Sequence, residues 1–215
     1  MFPEPKFSLL DISSWNRKEH FEFFNAFDQP YFGLETEVDV TGAKELCKTK
    51  GWSFFLYYHF LSQKAVNSVE AFKLRLVNEE IRIYENLHVN TNQFREDKTF
   101  AFSFIPFEDD WERFQIEGKK VQDAVNHSSG LCLDENTSRA DSIHYSTIPW
   151  VSFTGLTHAR NSSYIDSVPK ISFGKLSERD GKFYLPVSVH AHHALLDGYD
   201  VGLYLDAFQK LLDLS

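Results

Sequence analysis

The pattern of apolar and polar positions divides the chain into segments of two kinds. Alternating and short apolar runs predict strands over residues 31–40, 98–107, 142–147, 150–156, 169–176 and 182–193. Two such runs around Asn78-Glu79 predict a hairpin over residues 73–85. Helical periodicity predicts helices over residues 15–27, with a cap at Ser13 or Ser14, and over 41–50, 53–69, 108–129 and 199–214.

These elements do not follow a strict alternation of strand and helix. Together they predict an α/β fold, a two-layer sandwich in which helices pack on a mixed β-sheet. The chain has 215 residues and shows neither an internal repeat nor a linker rich in Pro, Gly or Ser. We therefore expect a single domain over residues 1–215.

Composition and charge indicate which kinds of binding partner and which cell compartment to expect. The formal net charge is -9 and the pI is about 5.4, which argues against nucleic acid or an anionic membrane as the main partner. The cysteines, Cys47 and Cys132, form no CxxC pair, which favours a reducing compartment. The first residues lack the pattern of a signal peptide, and the longest apolar stretch, 52–61, is too short to span a bilayer. A cytoplasmic protein is expected.

Histidines cluster at the end of the last predicted strand, at His190, His192 and His193. Side chains of a strand alternate between its two faces, so His193 continues the apolar face of Val187 and Val189. His190 and His192 point the other way. A histidine held at the end of a rigid, partly dry strand is placed as a general base would be.

Two other interpretations of these histidines remain. A lone buried histidine is more often a hydrogen-bonded core residue than a catalyst. A zinc site is disfavoured, because the histidines lie on opposite faces and no carboxylate or thiol has ligand spacing with His193. The complete pattern His-His-x-x-x-Asp-Gly, which ends a strand and opens a helix, favours catalysis.

The stretch HHALLDG, residues 192–198, matches the His-His-x-x-x-Asp-Gly signature of CoA-dependent acyltransferases. Three further stretches, SWNRKEHFEFF, YSTIPWVSFTG and ISFGKL, resemble the chloramphenicol acetyltransferases. They follow the order and the spacing of that family, and the resemblance covers nearly the whole chain.

The resemblance implies a sandwich that assembles as a homotrimer, with active sites at the subunit interfaces. His193 would be the general base that takes a proton from an acceptor hydroxyl. Ser146 would donate a hydrogen bond to the oxyanion formed from the acetyl-CoA thioester. Asp197 would pair with Arg17 of the first helix and fix the loop after His193. No metal is implied.

The resemblance also implies binding residues. They are Phe24, Phe32, Leu156, His158 and Ser172 for the acceptor, and Trp150 and Lys175 for CoA. This chain departs from the family at Ser53, where a lysine is frequent, although Lys50 is close, and at Leu176, where a tyrosine is frequent. If residues 150–160 are a strand, Leu156, His158 and Arg160 project to one face, where the family has apolar lining. We therefore expect chloramphenicol to bind more weakly here.

The predicted function is acetyl transfer to chloramphenicol. One alternative is the same chemistry on another small hydroxylated or amine acceptor. A second is the catalytic core of a lipoyl-dependent dehydrogenase complex, disfavoured because we see neither a lipoyl domain nor a flexible linker before it. A third is a binder that sequesters the antibiotic or CoA without catalysis, which would have no need of a general base.

Overall fold

The computed structural model of the protein describes residues 2–161 and 166–215. Its strands are β1 (Phe7–Leu9), β2 (Tyr31–Asp39), β3 (Leu74–Val77), β4 (Glu80–Tyr84), β5 (His88–Phe94), β6 (Phe100–Ile105), β7 (Ser142–Thr147), β8 (Lys170–Phe173), β9 (Ser177–Arg179) and β10 (Lys182–His192). Its helices are α1 (Lys18–Asn25), α2 (Thr41–Lys50), α3 (Phe54–Asn67), α4 (Trp111–Asn126) and α5 (Gly198–Asp213). Short 3₁₀ turns occupy Ile12–Ser14 and Glu70–Lys73.

A large mixed sheet is the centre of the fold. Its strand order is β2-β10-β8-β7-β5-β6, and β9 pairs with β10. Strands β5 and β8 each pair with β7 in parallel, whereas β10 pairs antiparallel with both β2 and β8. A small antiparallel sheet, β1-β4-β3, stands apart. The predicted class, a mixed sheet packed by helices, is confirmed.

The two faces of the large sheet differ in character because side chains alternate along each strand. On one face Val187, Val189 and Ala191 of β10 are at most 1% exposed and share a core with Tyr204 and Phe208 of α5. The opposite face is polar. There a row of side chains crosses the sheet in register, from Ser188 in β10 through Ser172 in β8 and Ser146 in β7.

The strand predicted over residues 150–156 is wrong. Residues 151–161 form an irregular segment, which begins with a turn in which the Val151 amide donates to the Ile148 carbonyl at 3.4 Å. Strand β7 pairs with β5 and β8, and β8 pairs with β7 and β10, so no strand edge is left at this point for the segment to join. Leu156, His158 and Arg160 are therefore not fixed on one face by strand geometry.

The other predicted helices and strands are present, but several begin or end at different residues. The hairpin turn is confirmed, since Asn78 and Glu79 have φ angles of 50° and 68°, the left-handed values such a turn requires. Helix α1 begins at Lys18, because Asp11 caps a separate 3₁₀ turn upstream. Strand β5 was not predicted from the sequence. No helix in the described part of the chain is long and apolar enough to cross a membrane.

Candidate active site

His193 lies directly after β10, where the strand meets the loop to α5. Its amide donates to the Pro30 carbonyl at 2.7 Å, which fixes the backbone at this point. Its ring stacks on Phe24 with centroids 3.9 Å apart and planes at 12°, and lies 4.6 Å from the ring of Phe32. Among the described residues, the buried Nδ1 atom has no hydrogen-bond partner. The aromatic rings thus orient a half-buried imidazole.

An ion pair holds the loop that follows. Arg17 Nη1 donates to Asp197 Oδ2 at 2.5 Å. Asp197 also caps α5 by accepting from the Tyr199 amide, while Asp200 accepts from the Asp197 amide. Burial raises the pKa of Asp197, but the hydrogen bonds from Arg17 and the Tyr199 amide outweigh it, so the net pKa is below the ordinary value. His193, Phe24, Phe32, Arg17 and Asp197 are called the histidine corner below.

The other two histidines of the cluster lie on the polar face, as the alternation predicted. His190 Nδ1 is 3.2 Å from Ser188 Oγ, and its ring fills the space over Gly33. His192 packs edge-on to Tyr31, and burial lowers its pKa to about 4. At neutral pH His192 is therefore an uncharged imidazole, and it does not share the surroundings of His193.

Ser146 belongs to the polar row that crosses the sheet. Asn92 of β5 donates from Nδ2 to Ser146 Oγ at 3.3 Å, and its Oδ1 accepts from the Thr147 amide at 3.4 Å. Ser172, one strand away, is 3.3 Å from His158 Nε2. The row of Asn92, Ser146, Ser172 and Ser188 is called the serine row below.

His158 approaches the serine row from the irregular segment rather than from a strand. Burial, together with the neighbouring His190, lowers the pKa of His158 to about 4, so the ring is neutral near pH 7. The backbone of Leu156 reaches the His190 ring. The Arg160 guanidinium instead lies 3.5 Å over the Tyr31 ring. Of the three residues predicted to share a face, only Leu156 and His158 are half-buried, whereas Arg160 is exposed.

The histidine corner and the serine row do not meet within one chain. Ser188, Ser172 and Ser146 are in register, and His193 follows Ser188 along β10. At about 3.3 Å per residue and about 4.8 Å per strand, roughly 19 Å separates the Cα positions of His193 and Ser146. A general base and an oxyanion donor must both lie within about 3 Å of the reacting groups.

A cavity of about 720 Å³ opens beside the serine row, and it is called the channel below. Thr147 and Asn92 line it near Ser146, and Tyr58 of α3 joins them through a 3.3 Å contact between its hydroxyl and Thr147 Oγ1. Trp150 and Lys175, the residues predicted to bind CoA, line it too.

Asn92 and Tyr58 line the candidate site, and the sequence did not predict either of them. Asn92 lies on β5, whose polar sequence HVNTNQF gives no clear strand signal. Tyr58 lies in the middle of an apolar helix, where a core role is the ordinary expectation. Only the pairing of β5 with β7 brings Asn92 next to Ser146.

Within residues 2–161 and 166–215, no group of three or more His, Cys, Asp or Glu side chains is arranged to hold a metal.

The same architecture occurs in solved structures. A structure described as "chloramphenicol acetyltransferase" superimposes with a TM-score of 0.89 at 25% identity, covering 96% of this chain and 100% of that one. A probable dihydrolipoamide acetyltransferase of Listeria monocytogenes superimposes with a TM-score of 0.67 at 13% identity, covering 91% of this chain and 89% of that one. The second likeness shows the fold alone.

Sequence comparison identifies the family. Residues 5–209 match the chloramphenicol acetyltransferase family. The chloramphenicol acetyltransferase of Staphylococcus aureus is 30% identical over 211 residues, covering 96% of each chain. That of Clostridium perfringens is 28% identical over 211 residues, covering 96% of this chain and 94% of its own. The chain belongs to the chloramphenicol acetyltransferase family.

Proposed function

We propose that the protein transfers the acetyl group of acetyl-CoA to a hydroxyl of chloramphenicol, in the cytoplasm. The observation that carries this proposal is the histidine corner. An imidazole packed against Phe24 and Phe32, with its loop fixed by the pair Arg17–Asp197, is built to keep one orientation. A binder without catalysis has no use for such a group. Family membership favours the same activity.

In the proposed reaction His193 removes the proton from the acceptor hydroxyl as the oxygen attacks the thioester carbonyl carbon. The new C–O bond yields a tetrahedral oxyanion, to which the Ser146 hydroxyl donates a hydrogen bond. The hydrogen bond from Asn92 to Ser146 Oγ leaves the Ser146 proton free to point at the oxyanion. The oxyanion collapses, the C–S bond breaks, and the CoA thiolate takes the proton back from His193.

We further propose a homotrimer in which His193 of one subunit faces Ser146 of the next. The separation of roughly 19 Å within a chain supports this arrangement, because one copy cannot bring both groups to the same carbon. Exposed aromatic side chains beside Phe24 favour a covering subunit, since Phe23 and Phe27, which pack against Phe24, are 60% and 47% exposed. The isolated chain would then be inactive.

The acceptor-binding residues in this proposal are Phe24 and Phe32 beside His193, and Leu156, His158 and Ser172 on the side of the serine row. A second acceptor class is favoured by the polar surroundings of Ser146. The neutral His158 imidazole and the Ser172 hydroxyl offer hydrogen bonds where an aryl ring would find none to make. A small polyhydroxylated or amine-bearing acceptor would use them.

Thiol release from acetyl-CoA in the presence of chloramphenicol tests the proposal. The expected result is acceptor-dependent release, with acetylated chloramphenicol detected by mass spectrometry. A panel of hydroxylated and amine-bearing compounds in the same assay decides between the two acceptor classes. Absence of thiol release with every acceptor, from protein that is folded, would contradict the proposed activity.

A further inference from the structure

The channel is lined by apolar and aromatic side chains together with a group of neutral hydrogen-bonding residues. Four residues that carry carboxamides are among those that line it, Asn92, Gln93, Gln122 and Asn126, and the Gln93 amide also donates to Ser103 Oγ. They come from the end of β5 on one side and from the last turns of α4 on the other. Carboxamides both donate and accept, so they match the secondary amides of a pantetheine arm without any need for charge.

The charges on the channel wall cancel. Among the described lining residues the cation is Lys175 and the carboxylate is Asp123. CoA brings a diphosphate and a 3′-phosphate, between about three and four negative charges near pH 7. The whole chain is itself acidic, with a formal net charge of -9. The wall and the long-range field therefore give the phosphates little net attraction.

An aromatic pair forms the outer part of the channel. The rings of Phe94 and Trp150 meet edge to face with centroids 4.8 Å apart, and they are 52% and 58% exposed. Exposed aromatic faces provide stacking surface for a planar group such as a purine, and stacking does not depend on phosphate charge.

We infer that this protein recognises its acyl donor through the pantetheine amides and the aromatic pair, and that the 3′-phosphate contributes little. The inference rests on the proposed use of the channel for the thioester. The donor class is then acyl thioesters of pantetheine, with or without the 3′-phosphate of CoA. Asp123 and Lys175 are the residues that keep the charge balance.

Calorimetric titration of the full-length protein with CoA and with 3′-dephospho-CoA tests this directly. The two dissociation constants are expected to agree within about threefold, a difference of less than about 0.7 kcal/mol. Acetylated forms of both thiols should give kcat/KM values in the same ratio. A preference of tenfold or more for CoA, about 1.4 kcal/mol, would overturn the inference.

Substitutions of the two charged lining residues test whether their charge balance controls CoA binding. Asp123→Asn should tighten CoA binding roughly two- to fivefold and Lys175→Gln should weaken it by a similar factor, because each leaves the other charge unbalanced. Neither should change the binding of pantetheine, which has no phosphate. Glu112→Gln is the control, because it removes the same charge from the same helix outside the channel. An equal response to Glu112→Gln would overturn the local balance.

A substitution of one carboxamide side chain tests recognition through the pantetheine amides. Gln122→Met keeps the size of the side chain and removes its hydrogen bonds, so CoA and pantetheine should lose affinity by the same factor, roughly two- to tenfold. Unchanged binding of both would contradict recognition by the amides. These titrations need no acceptor, so they decide the inference even if no acceptor is acetylated, the result that would instead refute the proposed activity.

Discussion

The histidine corner and the serine row are built in opposite ways, although both belong to the same proposed reaction. In the histidine corner the imidazole of His193 is held by apolar ring faces, and an ion pair fixes its loop. In the serine row Ser146 is held by neutral polar neighbours on a rigid sheet. In the proposed reaction the two regions have different roles: one would supply the base, the other would supply hydrogen-bond donors, and neither would be complete alone.

The largest expected effect comes from removing the base in the histidine corner. His193→Ala should lower kcat for acetyl transfer by about 10²- to 10⁴-fold, because general-base catalysis contributes about that factor. The fold and the oligomeric state should not change, as judged by circular dichroism and sedimentation.

His192→Ala is the matched variant on the opposite strand face. It should lose less activity, because His192 packs against Tyr31 and not against Phe24. Equal losses in the two variants, or substantial activity in His193→Ala, would show that the base is assigned to the wrong histidine.

The ion pair of the histidine corner should show strong coupling. Asp197→Asn and Arg17→Val should each lower both the Tm and kcat, because each leaves a partner group without its counter-charge. In a double-mutant cycle the unfolding free energies should be non-additive by about 1 kcal/mol, with both side chains partly exposed. Additive losses would mean that the contact between Arg17 and Asp197 carries no stability.

Acid should destabilise the folded protein through His192, which lies on the polar face of the large sheet. Burial lowers the pKa of His192 to about 4, below the ordinary 6.5, so the unfolded chain binds more protons between these pH values. The free energy of unfolding is therefore unaffected by this group above pH 6.5 and falls as the pH decreases toward 4. His192→Gln should flatten this part of the curve of Tm against pH. Parallel curves for His192→Gln and the unmodified protein would contradict the pKa shift.

The smallest effect is expected at the acceptor side of the serine row. His158→Leu should lower KM for chloramphenicol a few-fold with little change in kcat, because an apolar side chain replaces one that must be desolvated when a ring binds. Steady-state kinetics with chloramphenicol as the varied substrate measures this. If the unmodified protein already has the KM of the variant, His158 does not contact the acceptor.

The sequence predicted the histidine corner better than the serine row for a physical reason. The pattern His-His-x-x-x-Asp-Gly is local, and the alternation of β10 separates His193 from His190 and His192, whereas the partners Phe24, Phe32 and Arg17 were implied only by the family resemblance. The contact of Asn92 with Ser146 depends on the parallel pairing of β5 with β7, which joins residues far apart in the chain. Such pairing leaves no local signal, particularly in a strand as polar as β5.

The irregular segment after β7 was mispredicted for a related reason. Its residues alternate between apolar and polar as in a strand. A strand forms only where a neighbouring strand has a free edge for pairing, and both edges of β7 and of β8 are already paired. The position of His158 next to Ser172 thus follows from the path of a loop, and the pattern of residues 150–160 could not supply that path. The predicted fold class was correct despite this error, because it depends on many elements at once.

The central claim is that His193 and Ser146 of different copies form one site. Mixing the inactive variants His193→Ala and Ser146→Ala, by unfolding them together and refolding, tests it most directly. In a random equimolar mixture of trimers, about a quarter of the interfaces combine an intact His193 with an intact Ser146, so about a quarter of the unmodified activity should return. If each chain formed its own site, the mixture would stay as inactive as its components, and that result would contradict the account.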